Sequence, residues 1–438
     1  MKKLIALLAV IGFVPTAYAA TAGDITWNGE YRLLYTNTTN SNDFDDDNSD
    51  EVNNQVWNQR TRLGLTARAG EKVTFNSTFV HNTQFGANAD QIPGGDDVTG
   101  TGPNATSAAE QNTIIVNEAN FSWMAKEDLM IRAGRGSATI GNGLVVSSNE
   151  FQPVQKAFDG VLVAWMHEKV DVKGFGVWGA TGDDYNDIGR FFGVAADLKA
   201  LPAFLKTAHL HYIVVKRDEG PYTINGDTVS ALNLDGKEDT TRLGLTLGGD
   251  AAGVDYSVTY AMYSGETELT GTSTDVDASM IDLEVGYAVP AAWNGRFHVG
   301  YHTDSGQDSG SDNTRYSGFH YNMHETAGLM DVVGWGNLTY TRIGANMKPT
   351  DDISVGVEYL MFTKTEKDDD VNAEDGVTAV AAVDGEDDIG TELDLSVTKT
   401  YSSNFSTTAS YRMFTPGDAI AADGDDRTQI YIEGKLKF

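Results

Sequence analysis

The final segment, Arg427-Thr-Gln-Ile-Tyr-Ile-Glu-Gly-Lys-Leu-Lys-Phe438, restricts the fold more than any other part of the chain. Ile430, Ile432, Gly434, Leu436 and Phe438 alternate with Gln429, Tyr431, Glu433, Lys435 and Lys437. Successive side chains of a strand point to opposite faces, so this segment has one apolar and one polar face. On a helix the charges would scatter around the circumference. Such a strand suits a sheet with lipid on one side and water on the other.

The same period of two runs through the chain. Asn58, Arg60, Arg62, Gly64 and Thr66 alternate with Trp57, Thr61, Leu63, Leu65 and Ala67; Ile281, Leu283, Val285 and Tyr287 alternate with Asp282, Glu284, Gly286 and Ala288. Ile353, Val355, Val357 and Tyr359 likewise alternate with Ser354, Gly356 and Glu358. At the N-terminus, Lys2 and Lys3 precede an apolar run from Leu4 to Val14, and Ala17-Tyr18-Ala19 offers a small-x-small cleavage site. Residues 1–19 are therefore expected to be a removed signal peptide, with 20–438 forming one unit. No later stretch reaches the roughly 18 consecutive apolar residues of a transmembrane helix. The chain has no Cys, so an exported product cannot rely on disulfides. A net charge of −32 makes it a poor partner for nucleic acid.

Polar connections alternate between short and long. The short ones are Gly70-Glu71, Lys126-Glu127-Asp128, Glu168-Lys169, Leu201 to Leu205, Gly249 to Ala252, Pro290 to Ala292, Pro349 to Asp352 and Ser402-Ser403-Asn404. The long ones fall near 37–55, 86–111, 136–156, 182–188, 218–238, 265–278, 304–334, 366–389 and 415–426. This punctuation predicts an all-β, transmembrane, antiparallel up-and-down barrel of about 18 strands, with short periplasmic turns and long acidic extracellular loops. Sixteen strands is the alternative count, because 129–135 is short and 170–199 is ambiguous. Trp27, Trp57, Trp123, Trp165, Trp178, Trp293 and Trp335 all lie near predicted strand ends, as interfacial girdles require.

A barrel of about 16 to 18 strands leaves an aqueous channel, so strand number bears directly on function. The predicted lumen-facing side chains include the acids Glu30, Glu118, Asp159, Asp282, Glu284, Glu358 and Glu392. They also include the bases Arg32, Arg60, Arg62, Arg132, Arg242, Arg342 and Arg412. Thr61-Arg62-Leu-Gly-Leu-Thr66 recurs as Thr241-Arg242-Leu-Gly-Leu-Thr246 and partly as Thr341-Arg342-Ile-Gly344, on descending strands. With Arg32, Arg132 and Arg412 toward the upper ends of ascending strands, six arginines are placed in one rung. Such a ring either selects ions or pairs with lumenal carboxylates such as Glu30 and Glu118 to stiffen the wall.

The loops carry the opposite charge. Asp43, Asp45, Asp46, Asp47, Asp50 and Glu51 crowd the first, and acids dominate Glu366 to Asp388 in the eighth. Asp384-Gly-Glu-Asp-Asp388 and Asp423-Gly-Asp-Asp426 supply the oxygen ligands that Ca²⁺ or Mg²⁺ takes, without full EF-hand spacing. The metal question stays open, and no cofactor is otherwise expected. Enzymatic motifs are lacking: there is no Gly-x-Ser-x-Gly elbow, and His320, His324 and Glu325 sit in a predicted loop instead of a metal-binding helix. His209 and His211 share one strand face, and the carboxylate pairs Asp282/Glu284 and Glu392/Asp394 lie on one strand each, not opposed across a substrate.

The middle of the chain carries Val116-Asn117-Glu118-Ala119-Asn120-Phe121, then Ile131-Arg132-Ala-Gly134-Arg135, Gly141-Asn-Gly143 and Phe158-Asp159-Gly160-Val161. In order and spacing this resembles the alginate-export family of 18-stranded outer-membrane porins. Asn142 stands where that family's loop usually has Asp, and Leu144 where it has Arg. The resemblance implies a Gram-negative outer-membrane location among lipid and lipopolysaccharide, and a monomer in preference to a trimer. The terminal Phe438 resembles the closing aromatic that the barrel assembly machinery recognises. Residues 136–156 are expected to fold inward, with Gly141, Asn142 and Gly143 at a constriction. The expected function is passive passage of ions and small hydrophilic solutes. The alternatives are export or uptake of an anionic polysaccharide, and a plugged barrel acting as a surface adhesin or structural protein.

Overall fold

The computed structural model describes residues 25–40, 44, 54–84, 114–180, 190–217, 223–224, 227–228, 236–269, 272–310, 312–322, 324, 327–371, 383, 385–420 and 424–438. Its strands are β1 (Ile25–Thr38), β2 (Asn54–Ala69), β3 (Val73–Gln84), β4 (Ile114–Lys126), β5 (Leu129–Gly136), β6 (Phe158–Met166), β7 (Val170–Ala180), β8 (Arg190–Leu198) and β9 (Thr207–Arg217). A small hairpin follows, β10 (Thr223–Ile224) with β11 (Asp227–Thr228). The series resumes with β12 (Gly236–Ala251), β13 (Val254–Leu269), β14 (Thr272–Val289), β15 (Gly295–Asp304), β16 (Leu338–Thr350), β17 (Ile353–Lys364), β18 (Asp388–Ser402), β19 (Phe405–Pro416) and β20 (Arg427–Lys437). Apart from the small hairpin, all strands join one 18-stranded antiparallel sheet, and β1 closes it against β20 with Tyr35 opposite Ile432. Closure leaves no unpaired strand edge, the condition for a sheet to cross a bilayer.

The eight short connections expected from the sequence all lie at one end of this barrel, and 129–135 and 170–199 resolve into β5, β7 and β8. The expected long connection at 265–278 is corrected. β13 and β14 run on in register from Gly265↔Val276 to Leu269↔Thr272, so only residues 270 and 271 separate them. The acidic residues there read as loop, but the interleaved Thr, Ser and Val favour strand, and a strand projecting beyond lipid needs no apolar outer face.

The outward face is the greasy one: Leu243, Leu245, Val285, Val299, Ile343 and Ile432 are all exposed on the barrel exterior. Six tryptophans are also exposed. Trp335 is the exception to the expected girdle, being only 1 % exposed and stacked on Tyr321 at 4.4 Å between ring centroids. Nearness to a strand end does not reveal which side of the wall a ring occupies.

The hydrophobic core lies inside the barrel. Leu144, Val145 and Val146 of the β5–β6 connection and Met330, Val332, Val333 and Trp335 of the β15–β16 connection are buried. They pack with inward wall residues including Phe158, Phe191, Ile213, Tyr263, Met280, Leu360 and Phe414. The wall is therefore apolar inside where connections dock on it.

Candidate functional site

Residues 137–157 leave β5 and turn back through a short bridge between Ile140 and Val146. The turn depends on Gly141 at φ +61° and Gly143 at φ +86°, conformations that glycine adopts readily. At Gly141 a side chain would also meet the wall, since an added Cβ would lie 3.0 Å from His209 Cδ2 on β9. Asn142 Nδ2 donates to Thr259 Oγ1 on β13 at 2.8 Å, and Leu144 is buried. Further along, the same segment is held by β1 and β2. Arg32 Nη1 donates to Phe151 O at 2.7 Å, and Arg60 Nη1 donates to Glu150 O and Gln152 O at 2.8 and 2.7 Å. The segment thus reaches from the β9–β13 wall to the β1–β2 wall and crosses the lumen.

The described residues of the 305–337 connection fold inward beside it. Ser147 N donates to His320 O at 2.7 Å, His320 N to Val145 O at 3.0 Å, and Asn322 N to Gly143 O at 3.0 Å, a short parallel sheet contact inside the barrel. The peptide at Leu329 and Met330 is gripped from β18 and β19. Glu392 Oε1 accepts from Leu329 N at 2.6 Å and Met330 N at 3.0 Å, while Arg412 Nη1 donates to Leu329 O at 2.5 Å. At the root of the segment, Asp304 accepts from Gly336 N and Leu338 N. His302 lies between Asp282 and Asp304 at 3.3 and 3.2 Å, stacked on Trp335 and Tyr340. These contacts satisfy backbone groups that would otherwise be stranded in a dry interior.

His320 joins the two segments, its Nδ1 lying 3.0 Å from Lys156 Nζ. Burial, and then the charges of Lys156, Arg242 and Arg217, hold the imidazole well below the usual histidine range. The docked form is neutral, whereas a released imidazole titrates near ~6.5. Release therefore takes up protons below about pH 6.5, so docking is strongest above that value and weakens as pH falls. Lowering the pH from 7.5 to 5 is expected to raise current noise in the wild type more than in His320→Gln. Equal pH dependence in both would dismiss this role.

Several residues expected to line water do not. Arg32, Arg60, Arg242, Arg412, Asp282 and Glu392 are buried. Arg32, Arg60, Arg412 and Glu392 anchor the inward segments. Asp282 accepts from Tyr340 and pairs with His302. Arg242 is sandwiched between Tyr263 and Phe319 at 4.1 and 4.4 Å. The expected six-arginine rung is thereby broken up. Arg32 lies opposite Arg60 in the β1–β2 register, and Arg132 sits low on β5, near the short-turn end and beside Ser122. Partly exposed in the lumen are Arg62, Arg132, Arg342, Glu30, Glu118, Glu284 and Glu358. Asp159, expected there, instead shares the outward face of Val161 and Val163 and lies opposite Arg135, because the buried Phe158 beside it takes the inward position. Most of the lumenal charges are paired: Arg60 with Glu30, Arg342 and Arg296 with Glu284, and His298 with Glu358. Glu118 accepts from Ser137 and Thr78, securing the start of the inward segment.

The sequence alone does not single out Lys156, His320, Phe151, Leu329 or the inward course of the β15–β16 connection as constriction elements. Their signal was present in the apolar runs Leu144-Val-Val146 and Val332-Val-Gly-Trp335, unusual in connections that water would otherwise surround. His324 pairs with Asp331 at 2.9 Å and stacks on Phe151. His209 pairs with Asp197 at 2.6 Å. The signal peptide, Asp43 and the 45–51 acidic run, and residues 86–111 and 182–188 lie outside the described residues, as do Asp384 and Asp423. Among the described residues no group of three His, Asp or Glu is arranged to hold a metal. Phe438 closes the seam, its N and O bonded to Gly29 O and N at 3.0 and 2.7 Å.

No curated protein sequence matches the chain. Among solved structures it is similar to Pseudomonas aeruginosa OpdL, with TM-score 0.61 and 10% identity over 95% of this chain and 99% of that one. It is also similar to Acinetobacter baumannii OccAB4, with TM-score 0.60 and 11% identity over 97% and 100% of the two chains. P. aeruginosa OccK8 (OprE) gives TM-score 0.60 and 12% identity over 96% and 99%. The family model for alginate export matches residues 41–432. The chain belongs to the alginate-export family, and its barrel is that of the outer-membrane porins.

Proposed function

We propose that the protein is a passive diffusion channel of a Gram-negative outer membrane, admitting ions and small hydrophilic solutes without catalytic chemistry or a cofactor. One observation carries this reading: a closed wide barrel is crossed by two anchored segments while charged side chains such as Arg62, Glu284 and Glu358 stay partly exposed to the lumen. Passage is then set by the gap beside residues 137–157 and 305–337 and by the fixed charges around it. The barrel is expected to work as a monomer among lipopolysaccharide, inserted by the barrel assembly machinery through its Phe438 terminus. Ca²⁺ or Mg²⁺ at the acidic loops would bridge it to that leaflet.

Membership of the alginate-export family supports a second reading, a pore for an anionic polysaccharide. Refolded protein in a planar bilayer under a salt gradient separates the readings. Steady channels that acidic oligosaccharides do not block support general diffusion, whereas selective block by them supports the polysaccharide pore. Absence of conductance would overturn both and favour a plugged surface protein.

A further inference from the structure

Below the inward segments, toward the short turns, the inner wall changes character. Val161, Val163 and Trp165 of β6 face outward, so Leu162, Ala164 and Met166 face the lumen. Met166 is 36 % exposed there, an apolar side chain on a face where a water-filled barrel ordinarily carries polar ones. These residues, with Met130 and Phe175, line a cavity of about 390 Å³ under Ile140 and Val146 of the first inward segment. Its far end is closed by an aromatic cluster in which Phe191 meets Phe158 and Phe319 edge-on at 5.7 and 5.1 Å. A volume in this range is typical of small-molecule sites.

The charges lining the cavity are not equivalent. Lys173 pairs with Asp197 at 2.9 Å and Asp171 with Lys199 at 2.6 Å. Asp197 also holds His209. Arg132 differs, for its only hydrogen bond among the described residues is from Nε to Ser122 Oγ at 3.3 Å, which leaves both Nη groups for another partner. A guanidinium edge of this kind takes a carboxylate in bidentate fashion.

We infer that this cavity is a binding subsite for an amphipathic organic monoanion, its carboxylate on Arg132 and its hydrocarbon or aromatic body along Leu162, Met130 and Phe175. The inference deepens the channel reading, since it rests on that reading for the route by which the solute arrives. A polyuronate segment fits less well, because an apolar wall leaves its hydroxyls without partners. The site lies beyond the constriction on the short-turn side, where it would hold a solute after the narrowest passage.

The test is calorimetric titration of the detergent-solubilised full-length protein with 3-phenylpropionate, glucuronate and 3-phenylpropanol, paired with bilayer currents on the same preparation. Phenylpropionate is expected to bind at least about tenfold more tightly than either other probe, since each lacks one of the two complements. Arg132→Gln and Leu162→Asn are each expected to weaken it by about the same factor, with circular dichroism checking that the barrel is folded. Glucuronate binding equally well would reduce the site to a bare cation, and phenylpropanol binding equally well to a greasy wall; either overturns the inference. A barrel that conducts salt but binds no phenylpropionate overturns it while the channel reading stands. A barrel that does not conduct overturns the channel reading, and the titration still decides the site.

Discussion

Replacing Arg32 and Arg60 together by alanine is expected to release residues 137–157 from the barrel wall and to raise unitary conductance roughly twofold or more, because a wide barrel is open unless something crosses it. The two guanidinium groups supply three hydrogen bonds to carbonyls of the segment, and Arg60 also holds Glu30 at 2.6 Å. Hydrogen bonds to charged groups contribute about 1.5–3 kcal/mol each, so losing the set costs the docked state on the order of 4 kcal/mol after partial hydration. Local openings commonly lie only a few kcal/mol above the native state, so this loss is enough to make the released segment the major form.

The opposing expectation is specific. Were Arg32 and Arg60 selectivity charges facing open water, the double substitution would shift the reversal potential and leave conductance nearly unchanged. That result would dismiss the anchoring role. Substitution of Arg62, which is partly exposed in the lumen, is the natural comparison. There the reversal potential is expected to move toward cation preference while channel size stays about the same, since a fixed charge is removed without an anchor.

The barrel was legible because lipid imposes a strict rule on each strand. Every outward position between the interfaces must be apolar and every backbone group must be paired, so period two and turn spacing report the architecture directly. The lumen obeys a weaker rule. Arg60 and Arg62 read alike in sequence, yet one is buried under Glu150 and Gln152 while the other is partly exposed. The difference is set by connections that return from distant parts of the chain, and local alternation carries no information about them. Glu392 and Asp394 likewise read as lumen-facing carboxylates. Their role as acceptors for the Leu329 and Met330 amides needs the β15–β16 connection to be placed first. The Gly141 to Gly143 turn was legible because two glycines so close imply a tight reversal. That a second segment pairs with it was not, although Val145 and Val146 had no business in open water.

Gly29→Val is expected to impair closure of the barrel out of proportion to its size. An added Cβ at position 29 would lie 2.4 Å from Cε2 and Cζ of Phe438, and the two residues exchange a pair of backbone hydrogen bonds at the seam between β1 and β20. The ring has to swing away from β1, and overpacking of this kind costs about 1–3 kcal/mol, with the terminal pairing weakened as well. In the purified protein the expected readout is a lower midpoint for heat-induced unfolding on semi-native gels. Gly434→Val serves as the control, for it also faces outward on β20 but has open space where its side chain would go. Phe438→Ala then separates packing from recognition. If the ring acts at the seam, Gly29→Val loses most of its effect in the Phe438→Ala background, as a double-mutant cycle would register. If Phe438 serves only as a signal for the assembly machinery, the refolded Phe438→Ala barrel melts like the wild type and Gly29→Val keeps its full effect there. Strong coupling between the two positions in refolded protein would place the last residue of the chain in the architecture as well as in its delivery.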